Sequence, residues 1–212
     1  VVVPLGVISI YFIIIQPIAI GAYCTICLAA AMAMLIMIPF ALDELVAMGQ
    51  FLVLNTRRGR PFWRAFFRGD ALPGGGVDKH PGFGGALPAT LASAARGVNL
   101  PWTLVASALI GVWLMFSRVI LGTVPPLADS DHLVGALVVT TAVIAMAEVA
   151  RPLRFINAAF GAWLVISPWM LDGGETAVNV ASVVAGLALV GLSLPRGPRS
   201  REHYGTWDRY IV

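Results

Sequence analysis

Charge is what this sequence has least of. Charged residues make up 12% of the 212 and hydrophobic ones 58%, whereas a soluble domain carries about 25% charge. The first 42 residues, Val1 to Leu42, hold no charge at all. With a mean hydropathy of +0.86, this composition excludes an ordinary water-soluble globule and leaves a polytopic membrane protein. Cysteine is the second scarcity, with only Cys24 and Cys27 present. A structural metal site takes about four ligands. The three histidines, His80, His132 and His203, fall in a loop, a helix start and a tail, so no metal site is expected. Other absences exclude further classes. No charged n-region or cleavage site precedes the opening apolar run, so a signal peptide is not expected. The chain begins at Val1 inside that run and is expected to be truncated. Neither Pro73-Gly74-Gly75-Gly76 nor Gly82-Phe83-Gly84-Gly85 leads into Gly-Lys-Ser/Thr, which excludes a phosphate loop. No ionisable residue falls mid-membrane in a predicted helix, which argues against a transporter.

What is present is long apolar sequence. In lipid only helices and closed barrels satisfy the backbone, and the runs are continuous rather than alternating, which selects helices. A single helix over Val1 to Leu42 would measure about 63 Å, about twice the hydrocarbon thickness, so the segment folds back. Pro17 and Gly21 are the natural breakers. They place one helix at about Val1–Ile20, a corner at Gly21–Tyr23 and a second helix at about Cys24–Val46. A polar loop is expected over Asn55–Leu100. Four more helices follow at about Pro101–Leu121, His132–Ala150, Phe155–Leu171 and Val178–Leu194, and a basic tail closes the chain. The fold class is therefore all-α, a polytopic transmembrane helical protein with about six membrane helices.

In the polar loop, arginines and aromatics interleave from Arg57 to Arg68. Nucleic-acid binding can use such a run. A short interfacial helix, with rings at headgroup level and arginines on anionic lipid, fits a membrane protein better, so the expected partner is the lipid bilayer and not nucleic acid. The charges also orient the chain. With the cysteine corner outside, thirteen of the fourteen Lys and Arg lie inside, all but Arg118, and the outer loops carry Asp129, Asp131, Asp172 and Glu175. Basic short loops mark the cytoplasmic face. The expected location is thus a bacterial inner (cytoplasmic) membrane with the cysteine pair toward the extracytoplasmic, oxidising side.

The second half repeats itself. Gly111-Val112-Trp113-Leu114-Met115-Phe116-Ser117 recurs fifty residues on as Gly161-Ala162-Trp163-Leu164-Val165-Ile166-Ser167. An acidic outer loop and a glycine-containing helix follow each copy, so two helical hairpins of one design are expected. Glycine lets helices approach closely. The second copy continues Pro168-Trp169, and Gly-x-Trp-x-x-x-Ser-Pro-Trp resembles the SPW repeat, a paired-helix membrane module. The first copy carries Ser117-Arg118-Val119 there and is degenerate. The resemblance implies four helices and little chemistry.

The cysteines lie three apart, at the expected start of the second helix. Free amides and the dipole at a helix N-terminus favour a thiolate, and a Cys-x-x-Cys pair can close into a disulfide. Cysteines also serve as small apolar packing residues, and that reading stands beside the redox one. The surrounding stretch, about Ile8–Phe40, resembles the last two helices of the vitamin K epoxide reductase family: Ser9-Ile10-Tyr11 places a tyrosine thirteen residues before Cys24, and Cys-x-x-Cys is followed by Ala29, Ala30 and Ala31.

That resemblance implies a quinone-linked membrane thiol–disulfide oxidoreductase that generates disulfides for extracytoplasmic proteins. Cys24 and Cys27 would be its catalytic pair. Cys27 would react with ubiquinone or menaquinone, and Cys24 would exchange with an upstream loop pair that oxidises a thioredoxin-like thiol carrier. The first two helices and the loop cysteines of that family are absent from this chain, and Ala31 stands where vertebrate members carry a tyrosine near the quinone. The expected organisation is residues 1–50 as the last two helices of such a domain, 51–100 as a cytoplasmic basic and glycine-rich linker, 101–194 as two SPW-type hairpins and 195–212 as a cytoplasmic tail. The alternative is a non-enzymatic SPW-repeat membrane scaffold with structural cysteines.

Overall fold

Proline and glycine set the first corner. Pro17 has no N–H for the carbonyl of Ile13, four residues back, and the helical ladder loosens there. In the computed structural model, which describes residues 2–70, 86–199 and 207, helix α1 (Val2–Ile15) passes into one π-helical turn, Gln16–Ile20. Gly21 then takes the left-handed conformation at φ 71°, which costs glycine nothing. Cys24 is extended and serves as N-cap of α2, Thr25–Arg57. This helix runs eleven residues past its expected end at Val46. The polar turns near Asn55 continue it, and the chain leaves at Gly59, φ 79°. After that turn, α3 (Phe62–Arg68) folds back on α2 and buries Ala65. Part of the expected loop is therefore helical, and α4 (Leu87–Ala94) follows it. The glycine-rich connector, with His80, and most of the tail, with His203, lie outside the described residues.

The repeat region forms two antiparallel hairpins. The first pairs α5 (Trp102–Met115), extended by the short α6 (Ser117–Ile120), with α7 (Leu127–Ile144). A 3₁₀ segment, Glu148–Leu153, leads into α8 (Arg154–Met170), which pairs with α9 (Thr176–Ser193). The crossing points explain the glycines. A methyl on Gly111 would stand 2.7 Å from the Gly135 carbonyl oxygen, and one on Gly161 would stand 2.6 Å from that of Gly186. Backbone touches backbone at both crossings, which no larger residue allows. Leu114 and Leu164, equivalent in the repeat, are fully buried in one core with Val138 and Leu189.

Among the described residues the fold is all-helical, with four helices long and apolar enough to cross a membrane. These are α2, α7, the Glu148–Met170 stretch and α9. This is an integral membrane protein. The expected six spans are reduced because Pro4–Ile20 and Trp102–Met115 are apolar but shorter. The chain leaves α5 at Phe116, one residue before the buried Ser117. At about 1.5 Å per residue, its 14 residues fall short of the roughly 30 Å hydrocarbon layer.

The first hairpin of the protein is not separate from the repeats. Leu35 and Ile38 of α2 share a core with Met115, Ala136 and Val139, and Ile13 of α1 packs on it. The cysteine corner lies at the end of the molecule that carries the 121–126 and 171–175 connections. Tyr23 reaches the Met115 carbonyl and Arg118 reaches that of Pro17. At the other end Arg151 donates to the Arg196 carbonyl and Arg154 to that of Ser193.

Candidate functional site

The cysteine corner is built from three short-range features. Cys24 caps α2 with its sulfur, which accepts the amide N–H of Cys27 at 3.3 Å. Its own N–H donates to Oε1 of Gln16 at 3.0 Å. Gln16, in the π-helical turn, is buried, so an otherwise apolar turn places one amide side chain against the cysteine backbone. Both thiols are free and exposed. The Cys27 thiol, and then the Cys27 amide, hydrogen-bond to the Cys24 sulfur and hold its pKa below the ordinary thiol value. Cys24 is therefore the readier nucleophile in this corner.

Directly below lies an apolar cavity of about 170 Å³. Leu28 and Ala31 line it, one helical turn below Cys24 and Cys27 respectively, together with Ile10 and Ile13 of α1. The repeat region supplies the opposite wall, including Met115, Phe116 and Val139. Its size suits a single ring, since an apolar cavity of about 150 Å³ takes up benzene. Ala31, 4% exposed, leaves this space open where a larger side chain would fill it.

The rim between corner and cavity is polar. His132 lies in the second turn of α7 and is buried, where a helix start was expected; the helix begins five residues earlier, at Leu127. Its Nδ1 lies 3.0 Å from the Met115 carbonyl oxygen and its Nε2 3.0 Å from that of Ile13. The Tyr23 hydroxyl donates to the same Met115 oxygen at 3.2 Å, and its ring packs against Phe116. Burial pushes the Tyr23 phenol above its usual pKa, opposed by the Arg118 charge, so it remains a donor at neutral pH. Asp131 is buried beside His132, near Ser117. Two ionisable residues thus sit inside a membrane-length helix that had been expected to carry none away from its start.

Cys24 and Cys27 are brought together as their spacing demands. Tyr11, the other residue of the sequence resemblance, lies on the exposed face of α1 against Phe12. Gln16 was not anticipated, although it is the only Asn or Gln in the uncharged 42 residues, which is the signal that could have found it. His132 and Tyr23 had no comparable signal, because their partners are backbone carbonyls. Among the described residues no group of His, Cys, Asp and Glu is arranged to hold a metal.

Residues 101–195 match the SPW repeat domain family. No curated protein and no solved structure matches the chain.

Proposed function

We propose that this protein is a membrane thiol–disulfide oxidoreductase in which Cys24 and Cys27 form the redox pair and the cavity beneath them receives a quinone. The observation that carries the reading is the stacking of a capped, activated thiol one helical turn above a ring-sized apolar cavity. A carrier thiol would attack the Cys24–Cys27 disulfide at Cys24, and the carrier's second thiol would then close its own disulfide and expel Cys24 as the thiolate that the hydrogen bonds from Cys27 favour. Gln16 fixes the backbone at Cys24. Closure of the Cys24–Cys27 disulfide releases two electrons and two protons. A bound quinone would accept both and leave as quinol. Leu28, Ala31, Ile10 and Ile13 would hold its ring, and the SPW hairpin would supply the outer wall.

The same reading makes residues 1–50 the closing half of a vitamin K epoxide reductase-like domain, with ubiquinone or menaquinone as acceptor. The pair would face the extracytoplasmic side of a bacterial cytoplasmic membrane and serve a thioredoxin-like thiol carrier. The cysteine corner, where Arg118 is paired with Asp129, lies opposite the end that carries Arg151 and Arg154, and this charge asymmetry supports that orientation.

The test uses the full chain in lipid nanodiscs, reduced and kept anaerobic, with a soluble short-chain quinone. The expected result is loss of two free thiols with one quinol formed, and no such loss in Cys24→Ala or Cys27→Ala. Ala31→Phe should slow the reaction at least tenfold while both thiols still alkylate normally. Thiols that stay reduced under quinone would remove the proposal, and an unchanged rate in Ala31→Phe would remove the cavity from it.

A further inference from the structure

We infer that α3 and the turn before it form a binding site for the phosphate of an anionic phospholipid, on the leaflet opposite the cysteine corner. The sequence of this element sets three faces. At 100° per residue, Phe62, Trp63, Phe66 and Phe67 cover one arc of the helix, Arg64 and Arg68 the next, and Ala65 the third. Ala65 is buried and α3 packs on α2, so the third face is occupied. The aromatic arc is not. Trp63 is 67% exposed and Phe67 75%. The rings stack in two pairs one turn apart, Phe62 on Phe66 and Trp63 on Phe67, with centroids 6.1 and 5.9 Å apart. Four large rings held side by side on a seven-residue helix are a surface for lipid, since aromatic side chains favour the headgroup level of a bilayer.

The arginine arc borders a polar cleft. Arg60, Arg64 and Arg68, four residues apart in sequence, line it together with Asp70. Asp70 pairs with Arg60, and Arg64 and Arg68 line the same cleft. Arg57 and Arg58 stand at the end of α2 just before, so residues 57–70 hold five arginines and one carboxylate. Charge of this density next to an exposed aromatic face complements an anionic headgroup, which offers acyl chain to the rings and phosphate to the guanidinium groups. Nucleic acid also carries phosphate and stacking bases. The position of α3 at the end of a membrane-crossing helix favours lipid.

The experiment is native mass spectrometry of the full chain released from nanodiscs of phosphatidylcholine with and without phosphatidylglycerol. Wild-type protein is expected to retain one or more phosphatidylglycerol molecules and to prefer them over phosphatidylcholine. Arg64→Gln with Arg68→Gln should weaken this preference by about 30-fold, taking roughly 1 kcal/mol for each surface arginine on an anionic leaflet. Both arginines are exposed, so the variant should melt with the wild type. Excess inorganic phosphate should displace little of the lipid. Equal retention of the two lipids by the wild type overturns the proposal without recourse to any variant. Full displacement by inorganic phosphate, or by a single-stranded oligonucleotide, would reassign the site to a soluble ligand.

Discussion

His132 Nε2 lies 3.0 Å from the carbonyl oxygen of Ile13, a residue 119 positions earlier in the chain. That carbonyl is available because Pro17 cannot supply the N–H that a regular helix would bring to it. The other ring nitrogen meets the Met115 carbonyl, where α5 ends. One imidazole therefore closes a broken helix in the first hairpin against a helix end in the repeats. It is the polar counterpart of the apolar packing between Ile13, Leu35, Ile38 and Met115.

His132→Ala should therefore loosen the joint between the two halves. The Met115 carbonyl keeps the Tyr23 hydroxyl, and the Ile13 carbonyl loses the imidazole beside it, which predicts a loss of about 1–3 kcal/mol, read as a lower melting temperature in detergent. Alkylation of Cys24 and Cys27 in the native state should change with it, since Tyr23 shares the Met115 carbonyl. His132→Gln, which keeps a donor, should fall between. A His132→Ala protein that melts with the parent would mean that the Ile13 carbonyl is satisfied elsewhere.

The glycine crossings make a sharper prediction. Gly111→Ala sets a methyl 2.7 Å from a backbone oxygen, and Gly186→Ala sets one 2.5 Å from another. Neither oxygen can rotate away, so the helices must separate, at a cost of about 1–3 kcal/mol each. Gly49, inside α2, meets nothing within 4 Å, and Gly49→Ala should instead stabilise by about 0.5–1 kcal/mol. Thermal melts of the three variants in one lipid give the comparison. Equal behaviour would refute close backbone contact at the crossings.

Much of this architecture was legible in the sequence, and the reason is local. The fifty-residue echo of Gly-x-Trp announces two like hairpins because each glycine is needed where its own pair of helices crosses. Pro17 and Gly21 announce the corner because each restricts or frees its own backbone. The Cys-x-x-Cys spacing announces proximity of the thiols. What was hidden depends on distant or backbone partners. His132 looks like a helix start until the Ile13 carbonyl is placed beside it. The cavity has walls from four helices, and no one of their sequences describes it. The length of α2 was hidden for a different reason, since hydropathy falls after Leu42 while the helix itself continues to Arg57.

The Ser-Pro-Trp element has its own physical logic. Pro168 cannot donate to the Leu164 carbonyl, and the buried Ser167 hydroxyl donates to that oxygen at 3.3 Å. In the first copy Arg118 replaces the proline and pairs with Asp129. A double-mutant cycle follows. Ser167→Ala alone should cost about 1 kcal/mol, and clearly less in a Pro168→Ala background, where the backbone N–H returns. Additive losses in unfolding measurements would show that serine and proline act independently.

The last prediction concerns the pH dependence of the cysteine corner. Cys24 has its pKa below the ordinary thiol value because the Cys27 thiol, then the Cys27 amide, hydrogen-bond to its sulfur. The reactive form is the thiolate, so alkylation of Cys24 should reach half its maximal rate at a lower pH than a free cysteine, for which the midpoint is about 8.5. The sign follows for the variant. Cys27→Ala removes the thiol donor but keeps the amide, so the midpoint should move upward part of the way, and alkylation at pH 7 should slow. Peptide-resolved alkylation across pH 5–10 by mass spectrometry measures both. A Cys24 midpoint that stays put in Cys27→Ala would assign the activation to the helix end alone, and the second cysteine would lose its part in tuning the first.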